Sequence, residues 1–331
     1  MEVSKVTKLG SSLHVPSVLE LAKEKIDAAP SRYIRSDQVP VLSSANPAIV
    51  VPVIDLQLLF DGDLLETELN KLHQACKEWG FFQAATEEKK KFGQLEGDVE
   101  GYGQAFVVSE EQKLDWADMF YMVTLPTHLR KPHLLPQLPL SFRNAIEAYS
   151  MELKSLAMKT FKLMAKALKM NPEEMEMLFE EGMQSMRMNY YPPYPEPDQV
   201  IGLTPHSDGG ALTILLQLNE AEGLQVKKDG IWVPVKPLPS AFVINIGDVL
   251  EIVTNGIYPS IEHRGVVNSV KERMSLATFL SPNLHGEFGP APSLLSSETP
   301  PKYKRIGTAD FLKGLFAQKL DGKFYLQTLR I

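Results

Sequence analysis

A histidine and a carboxylate stand two positions apart in Thr204-Pro205-His206-Ser207-Asp208, just ahead of the apolar run Ala211 to Leu216. Side chains alternate along a strand with period two, so His206 and Asp208 are expected to project from one face. One more imidazole would complete a facial triad with open positions, the arrangement that suits non-haem ferrous iron. His263, 55 residues after Asp208, is the candidate for that third ligand. Ten residues further, Arg273-Met274-Ser275 enters another apolar run, Leu276 to Leu280. The planar fork of an arginine pairs bidentately with a carboxylate, so Arg273 reads as an anchor for a dicarboxylate. Two alternatives stay open on these residues alone. An isolated His-x-Asp is a weak motif, and two histidines with one aspartate can also hold zinc in a hydrolase.

The elements around these residues change character along the chain. Ser17-Val18-Leu19-Glu20 has the form of a capping box and predicts a short helix ending before Pro30. Val51 to Leu56 reads as a strand, and Leu65, Leu69, Leu72, Cys76 and Trp79 mark one face of a helix that Gly80 would end. Trp116 to Leu125 reads as a strand. Phe142, Ile146, Tyr149, Leu153, Leu156, Thr160, Leu163 and Ala167 predict a long amphipathic helix, a girder for a sheet, with its methionines as core filler. From Gln184 onward short strands and turns take over, which signals a sandwich or barrel. Asp229-Gly230 between Leu224–Lys228 and Ile231–Val235 is a strong hairpin signal, and Ala241 to Ile246 is a further buried strand. A jelly roll lets ligands distant in sequence converge at the open end between two sheets. The expected fold class is therefore α+β. It has a double-stranded β-helix core, a long supporting helix and a helical N-terminal region, divided into 1–170 and 171–331. A helix near Ala309 to Gln318 is placed to cap the mouth. His128 and His133 read as surface residues, and His73 lies off its helix's apolar stripe.

With Arg187-Met188-Asn189-Tyr190-Tyr191-Pro192-Pro193 added to these motifs, the chain resembles the plant iron(II)- and 2-oxoglutarate-dependent dioxygenases. Within them it is similar to the group that includes the thebaine and codeine O-demethylases. The resemblance implies His206, Asp208 and His263 as Fe(II) ligands and 2-oxoglutarate as co-substrate. It assigns Arg273, Ser275 and Tyr191 to the distal carboxylate of 2-oxoglutarate and Asn189 to the region of its keto group. Arg187 and Arg264 could equally be buried structural partners. The implied reaction consumes O2, releases succinate and CO2, and hydroxylates or O-demethylates a small-molecule plant metabolite such as an alkaloid or flavonoid, with ascorbate as a reductant. Loops around Tyr102, Phe279 and the C-terminal helix are expected to form the substrate pocket. One departure stands out. After Phe81-Phe82-Gln83 the family's Asn-His-Gly turn and following helix are absent, which would leave apolar surface uncovered near Phe81 and Phe82. A non-catalytic or impaired relative is the second reading that this gap raises.

Composition narrows the partners. With 34 basic and 41 acidic residues the formal net charge is −7, and no basic block occurs, which argues against nucleic acid and anionic membranes. Hydrophobic content of 44% suits a soluble globular protein. One cysteine, Cys76, excludes an intrachain disulfide and fits a reducing compartment. Residues 1–9 lack the apolar core of a signal peptide, and no run approaches a membrane span. A cytoplasmic monomer is expected, with association if the surface near Phe81 stays bare.

Overall fold

The computed structural model describes residues 10–23, 28–35, 94, 98–131, 133–134, 140–239 and 241–331. The expected strand at 51–56, the helix at 65–79, Cys76, His73 and the junction after Gln83 lie outside the described residues.

Two antiparallel sheets carry the structure. The larger has the order β1 (Gly101–Gly103), β2 (Asp118–Leu125), β3 (Met183–Tyr191), β10 (Arg273–Ser281), β5 (Leu212–Gln217) and β8 (Phe242–Ile246). The smaller has the order β4 (Leu203–His206), β9 (His263–Gly265), β6 (Leu224–Lys228) and β7 (Ile231–Pro234). A short pair, β11 (Glu287–Phe288) with β12 (Ile306–Gly307), stands apart. Leu215, Val243 and Ala277 of the large sheet pack into one apolar cluster with Leu224, Val226 and Val233 of the small one. That is the interior of a sandwich, and the expected jelly roll is what the strands build. The Asp229-Gly230 turn has both residues at positive φ, 50° and 79°, as a two-residue hairpin of the right twist requires. β1 and β2 extend the same sheet as β3, so the division expected at residue 170 does not separate two sheets.

Period-two alternation gives the large sheet two buried faces. On β2, β3 and β10 the even-numbered Phe120, Met122, Met186, Met188 and Leu276 cluster with Ile146 of helix α2 (Leu140–Leu168). The odd-numbered Met183 to Tyr191 and Arg273 to Ser281 line a cavity on the other side. The helix is the expected girder: Ile146, Leu153 and Thr160 of the expected stripe are buried, and Ala157, Phe161, Met164 and Ala165 widen it. Phe161 stacks on Phe179 of α3 (Pro172–Phe179) at 4.2 Å. Met164 and Met170 fill core as expected, whereas Met151 is exposed.

Helix α1 (Val18–Lys23) has the predicted cap, Ser17 Oγ accepting from Glu20 N, and a second fastening that its own sequence does not show. Buried Asp118 on β2 accepts from Ser17 Oγ at 2.8 Å, Val18 N at 2.9 Å, Leu19 N at 2.9 Å and Tyr102 OH at 2.7 Å. Among the described residues no helix is long and apolar enough to cross a membrane. Hydrogen bonds to a charged group contribute about 1.5–3 kcal/mol each, only partly additively. Asp118→Ala is therefore expected to lower the unfolding free energy by about 2–4 kcal/mol. Urea denaturation checks this, and a change below about 0.5 kcal/mol would show that α1 is held by other contacts.

Candidate functional site

β4 and β9 are neighbours, and their register sets His206 opposite His263. The two rings lie 4.3 Å apart between centroids. Asp208 follows just beyond the end of β4, in the turn rather than on the strand, yet still reaches the pair. Its Oδ1 lies 3.6 Å from His206 Nε2 and 3.7 Å from His263 Nε2. One ligand atom from each of the three falls within 4.8 Å of the others, and all three residues are buried.

The remaining donor and acceptor atoms of the trio are already engaged. His206 Nδ1 lies 2.7 Å from the Thr204 carbonyl and His263 Nδ1 lies 3.1 Å from the Ile261 carbonyl. A carbonyl only accepts, so each Nδ1 carries the proton and each Nε2 presents a lone pair to the centre. Asp208 Oδ2 accepts from Thr213 Oγ1 at 2.7 Å and from Asn245 Nδ2 at 2.6 Å, which leaves Oδ1 directed at the imidazoles. Outer-shell hydrogen bonds of this kind fix the orientation of metal ligands. The turn itself is clamped from below by helix α4 (Asp248–Val253). Asp248 N donates to the Asp208 carbonyl at 2.7 Å, and a Cβ on Gly247 would sit 2.1 Å from the Gly210 carbonyl oxygen.

Burial works against the charged form of Asp208, but the imidazoles of His263 and His206 and the Thr213 hydroxyl outweigh it. They hold its carboxyl well below the usual carboxylate range. His263 is pushed down to about 4, by burial first and by the neighbouring His206 second. It is therefore a neutral ligand at neutral pH, as metal binding requires.

Arg273 lies across the cavity, on the β10 residue paired with Tyr191 of β3. Its side chain is buried, with Nε donating to Gln217 Oε1 at 3.1 Å and the guanidinium 5.1 Å from the Tyr191 ring centroid. Ser275 and Asn189 form the next pair on the same face, Asn189 Nδ2 lying 3.4 Å from Ser275 Oγ. Alternation thus puts Arg273, Ser275, Asn189 and Tyr191 on the cavity face together. Phe279 joins them. Tyr102 does not: its hydroxyl is on Asp118 and its ring packs with Phe120 and Met122 on the α2 side of the sheet. The expectation of a substrate contact there is corrected by strand parity, since Tyr102 is the register partner of even-numbered Phe120. Arg264 is held by Gln225 at 2.8 Å and lies 4.3 Å over Trp232, a structural setting. Arg187 lines the cavity. His128 and His133 are exposed, as expected.

Helix α5 (Thr308–Phe316) covers the mouth with Leu312, Leu315 and Phe316, and Phe106 closes the same wall. Thr213, Asn245 and Gln217, which orient the ligand and the anchor, escape notice in the sequence. Asn245 left the clearest trace, as a lone amide inside the apolar strand Phe242 to Ile246.

Because His263 has a folded pKa near 4 against an ordinary value of 6.5, the unfolded chain takes up a proton in that interval and the folded chain does not. Stability of the metal-free protein is therefore full above pH 6.5 and falls as pH drops toward 4, by roughly 3 kcal/mol from this residue. Thermal melts across that range should show a steeper decline for the parent than for His263→Gln; parallel curves would place the titration elsewhere.

Comparison with known proteins bears on the same residues. Residues 182–282 match the model of the 2OG-Fe(II) oxygenase superfamily, and residues 51–86 match that of the non-haem dioxygenase in morphine synthesis N-terminal region. The chain is 55% identical over 347 residues to oxoglutarate-dependent flavonoid 7-O-demethylase 1 of Ocimum basilicum, covering 98% of this chain and 93% of that one. It is 48% identical to thebaine 6-O-demethylase of Papaver somniferum, with 100% of each chain covered. That alignment spans 364 positions against 331 residues here, so at least 33 positions are gaps in this chain, in keeping with a shortened relative. Among solved structures, JOX2 in complex with 2OG, Fe and JA superposes with a TM-score of 0.81 at 33% identity, covering 96% of this chain and 98% of that one. On this similarity over nearly its whole length, the chain belongs to the 2OG-Fe(II) oxygenase superfamily and is an oxidoreductase, a dioxygenase.

Proposed function

We propose that this enzyme O-demethylates a methoxylated aromatic plant metabolite, converting methyl ether, 2-oxoglutarate and O2 into phenol, formaldehyde, succinate and CO2. The observation that carries the reading is one cavity with a buried His206-Asp208-His263 set at one side and a buried, uncompensated guanidinium at the other. Among the described residues no carboxylate lies within ion-pair distance of Arg273, and Asn189 Oδ1 is buried without a hydrogen-bond partner. Buried charge is expensive unless paired, so the Arg273 guanidinium suits an anionic occupant, whereas Asn189 Oδ1 is an acceptor and calls for a donor. The names of the relatives narrow the reaction: demethylases acting on a flavonoid and on thebaine are both similar to this chain.

In this reading His206 Nε2, Asp208 Oδ1 and His263 Nε2 hold Fe(II). Arg273, Ser275 and Tyr191 hold the distal carboxylate of 2-oxoglutarate, with Asn189 toward its keto end. Iron(II) with 2-oxoglutarate and O2 supplies the oxidising power to break a C–H bond; ascorbate is a suitable reductant for the metal. The protein's part is placement. The Thr204 and Ile261 carbonyls fix the tautomer and the aim of the imidazoles, and Thr213 with Asn245 keeps one carboxylate oxygen available. Gln217 fixes the guanidinium plane so that it meets a carboxylate edge-on. Leu215, Phe279, Leu312 and Leu315 keep water from the reacting carbon and receive an apolar ring.

The test is succinate and formaldehyde formation from a panel of methoxylated flavonoids and alkaloids with Fe(II) supplied. Ala at His206, Asp208 or His263 should abolish both products. Arg273→Lys keeps the charge and loses the fork, worth about 1.5–3 kcal/mol, so half-saturating 2-oxoglutarate should rise by about one to two decades with iron content unchanged. Succinate without formaldehyde across the whole panel would replace O-demethylation by another oxidation. An unaltered 2-oxoglutarate dependence in Arg273→Lys would remove Arg273 from the anchor.

A further inference from the structure

The cavity beside the candidate metal ligands encloses about 110 Å³. Pockets for drug-sized ligands are roughly 300–1,000 Å³, so a metabolite longer than one ring system does not fit this chamber as it stands. A larger polar cleft of about 740 Å³ adjoins it, lined by Arg35, Lys113, Asp115 and Glu262 among others. Phe106 is in the wall of both. Its ring stacks on Phe316 with centroids 5.2 Å apart and planes inclined by 15°.

The two halves of this pair are held differently. Phe316 is buried, lies 6.3 Å from the Tyr121 ring, and has Gly10 packed so closely that a Cβ there would meet its own Cβ at 2.3 Å. Phe106 is half-buried on a loop and has φ of 63°, a conformation a bulky residue adopts only when its surroundings impose it. Gln112 imposes it, donating from Nε2 to the Phe106 carbonyl at 2.8 Å and accepting from Val108 N at 3.0 Å. Ser12 Oγ accepts from Val107 N on the other side. The backbone of Phe106 is thus fixed while its ring, between two cavities, has space into which to turn.

We infer that Phe106, stacked on the fixed ring of Phe316, is a specificity-determining residue: it closes the chamber to one ring system and must swing aside for a longer aromatic substrate to extend into the polar cleft. The substrate class it selects is a flat aromatic ether whose methoxylated ring enters the apolar chamber while its more polar remainder lies in the cleft. This rests on the proposed O-demethylation only for the position of the methoxyl group. A ligand that needs the open arrangement binds more weakly by the fraction of time the ring pair is parted.

Phe106→Gly tests it without endangering the fold, since glycine accepts positive φ at no steric cost. Phe106→Leu is the companion, keeping apolar bulk but losing the ring. Equilibrium dialysis under anaerobic conditions, with Fe(II) and 2-oxoglutarate present, would measure 7-methoxycoumarin against the longer 7-methoxyflavone. The flavone-over-coumarin preference should rise about tenfold in Phe106→Gly and less in Phe106→Leu, with 2-oxoglutarate affinity unchanged. A shift below threefold in Phe106→Gly, or no binding of either probe to any form, overturns the inference. Formaldehyde release in air is read separately: its absence alongside the shifted preference would retire the O-demethylation reading and leave the role of Phe106 supported.

Discussion

Asp208 has two carboxylate oxygens with different duties, and the site depends on their being kept apart. Oδ2 is tied to Thr213 of β5 and Asn245 of β8, both strands of the large sheet. Oδ1 faces two imidazoles that ride on β4 and β9 of the small sheet. The trio is therefore a junction across the sandwich, and its geometry is only as good as the packing of one sheet on the other. That packing is supplied by Leu215, Val243 and Ala277 against Leu224, Val226 and Val233. Dense interiors of this kind resist small displacements, which is what a three-ligand centre needs.

The sequence disclosed the chemistry more readily than its boundaries. His206, Asp208, His263 and Arg273 were legible because residue type and spacing point to them, and the β6–β7 hairpin because Asp-Gly suits a turn with two positive φ values. Tyr102 was misplaced for a physical reason. β2, the strand on which Tyr102 is paired, is buried along its whole length from Asp118 to Leu125, so burial there cannot tell the α2 side from the cavity side. Only the register with Phe120 decides it. Thr213, Asn245 and Gln217 act through partners that are distant in sequence, 37 residues separating Asn245 from Asp208 and 56 separating Arg273 from Gln217. No local pattern records such a pairing. Phe106 was hidden too, since neither its positive φ nor its stacking on Phe316 is written in neighbouring residues.

Function and stability draw on opposite features of the same cavity. Among the described residues the Arg273 guanidinium is buried without a counter-charge and the Asn189 amide oxygen without a donor, and each weakens the folded state. Neither would persist in a cavity meant to stay empty, because a leucine would serve the core better. An anionic ligand that pairs with the Arg273 guanidinium would stabilise the fold by mass action, growing with the logarithm of its concentration over its dissociation constant. The surrounding apolar wall strengthens each of these polar contacts by keeping the local dielectric low.

β4 lies at the rim of the small sheet, and what covers that rim comes from far along the chain. Gly322 bridges His206, accepts from Ser207 N at 3.1 Å and donates to the Pro205 carbonyl at 2.9 Å, while Lys323 pairs with buried Glu251 at the end of α4. An uncovered strand rim is a template for pairing with another chain. The strand that bears the first ligand is therefore shielded by a segment more than a hundred residues further along, and a change in that distant segment reaches the metal-binding strand directly through its backbone.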